Sequence, residues 1–150
     1  MIDTIWHLRG STELPANTSD SVILERLETF IAKQDKQLNG QTETSIRFNS
    51  PLWENWITNN WLALVIYDRG SFWIESGLEG RTLKYDLRSL HGLIFCLLGA
   101  LMFLAFVSSF EGFREGARTA LLAFAWLYGG NMVLAWTRIP RAIRNAVSGS

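Results

Sequence analysis

Two long runs of apolar residues dominate the second half of the chain. Residues 89–110 form a run of 22 and residues 119–137 a run of 19, and neither contains Asp, Glu, Lys or Arg. A hydrocarbon core about 30 Å thick requires roughly 20 apolar helical residues, so each run is long enough to span it. Residues 111–118, between the runs, are polar and include two glycines. The pattern predicts a transmembrane helical hairpin over residues 89–138.

The two predicted spanning helices are unequal. On a membrane-insertion scale the apolar side chains of the first run sum to about −5 kcal/mol, and those of the second to about −3 kcal/mol. The second run also carries Gly129, Gly130 and Asn131 near its middle. We therefore expect the second helix to insert less strongly and to lean on the first.

Small residues recur at four-residue spacing on both predicted spanning helices, which allows helix backbones to approach closely in lipid. They are Gly92, Cys96 and Ala100 on the first helix, and Ala125 and Gly129 on the second. A buried amide in a membrane requires a hydrogen-bond partner, so Asn131 is expected to face the first helix, a second protomer or a functional cavity. Packing is favoured over a transport site, because no acid, His or Arg lies at the same depth.

Ahead of the hairpin the pattern is that of a small α+β domain over residues 19–88. Apolar residues at helical spacing predict a helix over residues 19–38, with Asn39-Gly40 as its stop. Four shorter apolar or alternating runs predict strands. They lie near residues 43–48, 62–67, 71–76 and 82–87. The predicted fold class is an α+β membrane protein, in which a helix-plus-antiparallel-sheet domain is followed by a two-helix transmembrane hairpin.

The two ends of the chain show weaker patterns. Residues 1–18 are expected to form an irregular lead, and they lack the features of a cleavable signal peptide. Residues 139–150 are expected to form a basic tail. Only Arg88 and Ser89 separate the last predicted strand from the first apolar run, so we expect the domain to lie close to the membrane.

Three tryptophans, Trp53, Trp56 and Trp61, occur within nine residues of one another. Indole rings favour the membrane–water interface, where the ring is half buried and the N–H finds a partner. The segment is expected either to lie against the membrane interface or to pack over the edge of the sheet.

Charge is divided between the halves of the chain. Residues 1–88 contain nine Lys or Arg and twelve Asp or Glu, whereas residues 89–150 contain five and two. Three basic residues precede the hairpin, namely Arg81, Lys84 and Arg88. Three follow it, namely Arg138, Arg141 and Arg144. The loop of the hairpin has two, Arg114 and Arg118. The positive-inside rule then favours both termini in the cytoplasm. Membrane-interface roles are expected for Arg88, Arg138, Arg141 and Arg144, together with the three tryptophans.

The sequence contains no recognisable catalytic constellation. The single cysteine, Cys96, allows neither an intramolecular disulfide nor a metal cluster, so it is expected to serve in helix packing. The carboxylates Asp68, Glu75, Glu79 and Asp86 are expected in turns or on the solvent side of strands. Basic residues are scattered and do not alternate with aromatics, which argues against nucleic-acid binding. We expect a protein that is not an enzyme and that uses neither cofactor nor metal.

In outline the order of elements resembles that of small bacterial membrane proteins, although no motif identifies a family. We expect a protein integral to a bacterial cytoplasmic membrane, with the lipid bilayer and either a protein partner or further copies of itself as partners. Its predicted role is that of a scaffold or regulator that displays the α+β domain. The alternatives are a self-assembling unit or subunit of a channel or transporter, and an interfacial protein that acts on lipid.

Overall fold

The computed structural model describes residues 6–50, 64, 67–78 and 80–149. Within these residues the chain forms five strands and three helices. The bounds are β1 His7–Glu13, α1 Asp20–Lys33, β2 Leu38–Gln41, β3 Ser45–Asn49, β4 Arg69–Gly77, β5 Gly80–Arg88, α2 Leu90–Glu111 and α3 Phe113–Ser148. The α+β class is confirmed.

The five strands form one antiparallel sheet in the order β1-β5-β4-β3-β2. The strands expected near residues 43–48, 71–76 and 82–87 correspond to β3, β4 and β5. The sheet also contains β1, in the segment expected to be an irregular lead. Only Leu8 among its seven residues is buried, so β1 lacks an apolar alternation that could identify it. Its position is set by main-chain pairing with β5, from His7 opposite Arg88 to Glu13 opposite Thr82.

Helix α1 ends at Lys33, five residues before the predicted end. Asp35 takes a left-handed conformation with φ 57°, and the Lys36 N–H donates to the Ile31 carbonyl at 3.2 Å. This 6→1 hydrogen bond is the Schellman closure of a helix, here with Asp instead of the usual Gly. Leu38, the last residue of the predicted helix, instead begins β2 and is exposed.

Most of the strand predicted near residues 62–67 lies outside the described residues. Leu64 and Tyr67 are described, and both are fully buried. The Tyr67 N–H donates to the Leu64 carbonyl at 3.0 Å, which closes a turn rather than a strand ladder.

The two apolar runs form helices that are joined by a single residue, Gly112, with φ 91°. Helix α3 begins at Phe113, not at residue 119, and continues for 36 residues with a π-helical turn at Ala125–Gly129. Both the expected polar loop and the expected basic tail are therefore largely helical. The absence of charge marked only the apolar part of α3, because charged residues do not by themselves end a helix.

The end of α3 belongs to the core of the α+β domain. On one side of the sheet, apolar residues of β1, β3, β4 and β5 pack against α1 and against this end of α3. The buried residues that α3 contributes are Ala135, Ile139, Ile143 and Val147. The segment expected to be a basic tail is thus a structural part of the domain.

Helix α2 and residues 113–134 of α3, together called the apolar hairpin, leave most of their surface uncovered. Helices α2 and α3 are each long and apolar enough to cross a membrane by length and composition. Only 11% of the most apolar window of α2, and 17% of that of α3, is buried within the protein. A core helix of a soluble protein of this composition would be mostly buried.

Candidate functional site: the junction between the sheet and the apolar hairpin

Strand β5 passes into α2 through one residue, Ser89, and a cluster of polar groups surrounds this point. We call the cluster of Asp68, Arg88, Ser89 and Tyr128 the junction. Asp68 comes immediately before β4, and its side chain is fully buried. Its Oδ2 accepts hydrogen bonds from Arg88 Nε at 3.0 Å and from Arg88 Nη2 at 2.6 Å.

The second carboxylate oxygen of Asp68 caps α2. The Leu90 N–H donates to Asp68 Oδ1 at 2.8 Å, and the side chain of Ser89, at the N-cap position, makes no capping bond. The first N–H groups of a helix have no partner within the helix and carry a partial positive charge. A buried carboxylate from another part of the chain therefore supplies the cap that the local sequence lacks, and it ties β4, β5 and α2 together.

Ser89 links the junction to the two other elements that meet there. Its N–H donates to the Trp6 carbonyl at 2.7 Å, just ahead of β1. Its hydroxyl lies 3.4 Å from the Tyr128 hydroxyl and 3.7 Å from the Met132 sulfur, both on α3. Ser89 is fully buried. The junction therefore connects the sheet, α2 and α3, and it limits rotation of the domain relative to the hairpin.

Tyr67 is a fully buried residue whose hydroxyl has no hydrogen-bond partner within the described part of the chain. Burial, and secondarily the nearby Tyr128, raise the pKa of the Tyr67 phenol, because an anion at this position would be poorly solvated. The phenol is therefore held neutral, and no group in the described part of the chain compensates the desolvation cost of its hydroxyl.

Replacing Tyr67 by Phe is expected to raise the free energy of unfolding by about 1 kcal/mol, because it removes an unsatisfied buried hydroxyl. Since the folded pKa lies above the unfolded value, Tyr67 contributes stability below about pH 10 that is lost as pH rises further. The variant should show a shallower alkaline loss in denaturant titrations between about pH 8 and pH 11. Tyr128→Phe, which removes a hydroxyl with a partner, should instead destabilise. Equal effects of the two changes would contradict this interpretation.

The contacts within the apolar hairpin agree only in part with the predicted small-residue faces. Cys96 and Ala100 are buried, and Gly92 is partly buried, on the predicted face of α2. On α3, however, the buried small residues are Gly116 and Ala120. Ala125 is exposed, and a Cβ built on Gly129 would have no neighbour within 4 Å. Helix α3 begins six residues earlier than expected, and its buried small residues lie near the turn. Helix packing through Ala125 and Gly129 stays a prediction.

Asn131 is not brought to α2. Its amide is exposed and donates to the Leu127 carbonyl of its own helix at 2.6 Å. The contact between Ser89 and Met132 also places Asn131 level with the start of α2 rather than with its middle. In this structure the Asn131 amide does not contact the first helix, and contact with a second protomer or a functional cavity stays a prediction.

A side chain at Gly116 is expected to force the two helices of the hairpin apart. A Cβ at this position would lie 2.9 Å from the Leu104 carbonyl oxygen and would collide with Ser108. We expect Gly116→Val to lower the free energy of unfolding by about 1–3 kcal/mol, a typical cost of overpacking. Helicity in detergent micelles, followed by circular dichroism on heating, measures the effect.

The matched control is Gly130→Val, because a Cβ at Gly130 would have no neighbour within 4 Å. Both variants replace Gly by Val in a helix, so they share the same small change in helix propensity. If the Gly130 variant lost as much stability as the Gly116 variant, the loss would reflect a general effect of the valine side chain rather than contact between the helices.

The predicted interface residues occupy different positions. Arg88 forms an ion pair with Asp68. Arg138, Arg141 and Arg144 are exposed on α3. With a rise of 1.5 Å per residue, these three lie about 9, 14 and 18 Å beyond Met132 along the helix. Arg138 is therefore the closest of them to the apolar hairpin and Arg144 the farthest.

Trp53, Trp56 and Trp61 lie outside the described residues. The residues on either side are described, and they meet at the end of the sheet where α2 begins. Asn49 pairs with Arg69, and the Ser50 N–H donates to the Asp68 carbonyl at 2.8 Å. The described residues Ser50 and Asp68 thus lie next to each other at the end of the sheet that adjoins the apolar hairpin.

Neither Asp68 of the junction nor the buried face at the end of α3 was identified from the sequence as structurally important. Asp68 was expected in a solvated turn, but it is buried, and the partners that bury it come from distant parts of the chain. No local pattern marks such a residue. The buried face of the end of α3 was detectable, because Ala135, Ile139, Ile143 and Val147 recur every four residues.

The junction offers no reaction centre. Its carboxylate is occupied by a guanidinium and a helix N-terminus, and no group of three or more His, Cys, Asp or Glu among the described residues is placed to hold a metal ion. Comparison with known protein families, with curated proteins and with solved structures finds no match to this chain. Its function must therefore be inferred from its own residues.

Proposed function

We propose that this chain is an integral membrane protein that holds its α+β domain rigidly at one membrane surface, as a scaffold or regulatory platform for a partner. The observation that carries the proposal is the dual character of α3. Its first part is apolar and largely exposed, whereas Ile139, Ile143 and Val147 at its end are fully buried in the core of the domain. One helix thus serves both the anchor and the domain.

Rigid attachment favours a platform over a simple tether. The domain is joined to the hairpin by the continuous helix α3, by the cap from Asp68 and by the contacts of Ser89. A flexible linker would let the domain sample many orientations, whereas this connection fixes the height and direction of the sheet. A fixed surface suits the binding of a partner that is itself held at the membrane.

Membrane integration is tested by alkaline carbonate extraction of membranes that contain the full-length protein. The protein should remain in the pellet, because the exposed side chains of the apolar hairpin have no other apolar surroundings. Release into the supernatant by carbonate would overturn the anchoring part of the proposal.

We place the domain and both termini in the cytoplasm, in a bacterial cytoplasmic membrane. Support comes from the excess of basic residues on the domain side of the hairpin over those at its tip. The test uses single cysteines at Ser76 and Glu115 in a Cys96→Ala background, with a maleimide that does not cross membranes. In intact cells Glu115→Cys should react and Ser76→Cys should not; the reverse result would invert the orientation.

A second candidate function is that of a self-assembling unit, for example a channel or transporter subunit. It is favoured by Asn131, an exposed amide on an apolar helix, two residues after the end of the π-helical turn Ala125–Gly129. Turns of this kind often occur at functional positions. We expect Asn131→Leu to reduce the oligomer size in mild detergent, measured by light scattering.

Ser109→Leu is the control for the assembly test, because Ser109 is likewise exposed and bonds to a carbonyl of its own helix, that of Ala105. If neither variant changes the oligomer size, the assembly proposal loses its support and the platform proposal is unaffected.

A further inference from the structure

One face of the sheet packs against α1 and α3, and the opposite face, called the open face, carries the polar residues of the strands. Cross-strand pairing arranges these residues in rows. The row nearest to α2 consists of His7, Arg88, Arg69 and Asn49. The second row consists of Arg9, Asp86, Ser71 and Arg47.

The two rows nearest to α2 are basic, whereas the far rows are not. The near rows contain four arginines, Arg9, Arg47, Arg69 and Arg88, against one carboxylate, that of Asp86. Counting the buried Asp68 as well, four positive and two negative charges leave a net of +2. The far rows contain Glu13 and Glu75 against Lys84. Positive charge is thus concentrated at the end of the sheet that adjoins the apolar hairpin.

Two of these arginines have no ion-pair partner among the described residues. Arg9 bonds to Asp86 at 2.9 Å and Arg88 bonds to Asp68, but Arg47 and Arg69 are exposed and form no ion pair within the described part of the chain. They lie on neighbouring strands, with Asn49 opposite Arg69 and Arg47 opposite Ser71. Arg47 and Arg69 are therefore diagonal neighbours on the same face, and two long side chains in this arrangement can reach one anion.

The distance from these rows to the apolar hairpin is limited by the chain itself. Arg88 and Leu90 are two residues apart, and successive Cα atoms are about 3.8 Å apart, so the first row begins within about 8 Å of α2. The second row follows about 7 Å farther along the strands. The headgroup region of a bilayer is about 5–7 Å deep on each side, and long arginine side chains extend toward it.

We propose that this basic end of the open face binds the headgroups of anionic phospholipids, with Arg47 and Arg69 as the principal contacts. The inference rests on the proposed membrane anchoring, and it names the ligand class that the domain surface recognises. Guanidinium groups bind phosphate oxygens in a bidentate geometry, and the position beside the apolar hairpin supplies the lipid. Binding orients the sheet against the bilayer and adds a second attachment to that of the hairpin.

The test uses the full-length protein, because the end of α3 contributes to the domain core and the domain alone lacks it. Purified protein in detergent is titrated with phosphatidylglycerol or with phosphatidylcholine, and bound lipids are counted by native mass spectrometry. Wild type should prefer phosphatidylglycerol. Since each cation near a membrane surface contributes roughly fivefold, Arg47→Gln combined with Arg69→Gln should weaken phosphatidylglycerol binding by about 25-fold.

The matched control combines Lys84→Gln with Arg144→Gln. This variant loses the same charge from positions that lie farther from α2, the partly buried Lys84 and the exposed Arg144, and it should weaken binding by less than about twofold. Equal loss in both double variants would show general attraction to a charged protein and overturn the inference.

The remaining outcomes are equally decisive. If wild type is retained in carbonate-washed membranes but shows no preference for phosphatidylglycerol, the lipid inference fails and the anchoring proposal stands. If an acidic peptide or an oligonucleotide binds in a manner that depends on Arg47 and Arg69 while phosphatidylglycerol does not, the ligand is a soluble polyanion and the lipid inference is wrong. Release of the wild-type protein into the supernatant by carbonate would remove the basis of both proposals.

Discussion

Replacing Ile143 by Ala is expected to lower the free energy of unfolding of the α+β domain by about 2–5 kcal/mol. Ile143 is fully buried, on the part of α3 that packs against the sheet and α1. Its truncation removes buried methyl groups and leaves a cavity in a core of limited size. A domain of this size has only about 5–15 kcal/mol of stability, so the loss is a large fraction of the total.

The measurement is pulse proteolysis of the full-length protein in nanodiscs over a range of urea concentrations. Arg141→Ala is the control, because Arg141 is exposed on the same helix, two residues away. Its effect should stay within about 0.5 kcal/mol. If Ile143→Ala were as mild as the control, the end of α3 would not be a structural part of the domain, and the rigid attachment would fail with it.

Replacing Asp68 by Ala is expected to cost about 2–4 kcal/mol, because the change leaves the Arg88 guanidinium without its carboxylate and the start of α2 without its cap. Removal of one partner from a buried ion pair is costly since the remaining charge stays desolvated. The side chain of Arg88 is 26% exposed, so water recovers part of the loss, and the expected value lies below that of a fully buried pair.

Graded substitution separates the two roles of Asp68. Asp68→Asn keeps an oxygen that can accept the Leu90 N–H but loses the charge, so it should destabilise less than Asp68→Ala. Glu75→Ala is the control, because Glu75 pairs with Lys84 at the exposed far end of the same sheet. That change should cost no more than about 1 kcal/mol.

Hydrogen exchange at the first turn of α2 gives an independent measurement. Loss of the cap should increase exchange at Leu90 and His91 more than at β4, because the N–H groups of both residues approach Asp68 Oδ1, at 2.8 and 3.4 Å. Uniform acceleration throughout the domain would show that Asp68 acts through global stability alone, and the local cap would then be contradicted.

The apolar parts of the protein were the easiest to predict. Charge-free runs identified α2 within a residue at each end and located the apolar part of α3. Alternation of apolar and polar residues identified β5, and helical spacing identified most of α1. These signals are local, because a buried face repeats with the period of the element that carries it.

The segments that were wrongly predicted are held in place by residues that are distant in the sequence or by conformations that the sequence allows without requiring. Strand β1 carries one buried residue and is held by β5, which lies more than 65 positions later in the chain. The early end of α1 depends on the left-handed conformation of Asp35, a residue that tolerates this conformation but does not require it. Charge counting marked residues 139–150 as a tail, although every fourth residue there is apolar.

The sequence alone determined that the chain combines an α+β domain with two helices that are apolar enough to span a membrane, because burial of apolar side chains leaves a periodic record. Only the tertiary structure decided how the two parts are joined. Asp68 reaches the start of α2 across 22 positions, and Ser89 approaches Tyr128 across 39. Such contacts are polar, single and long-range, so they leave no period in the sequence. They turn the predicted anchor and its domain into one body.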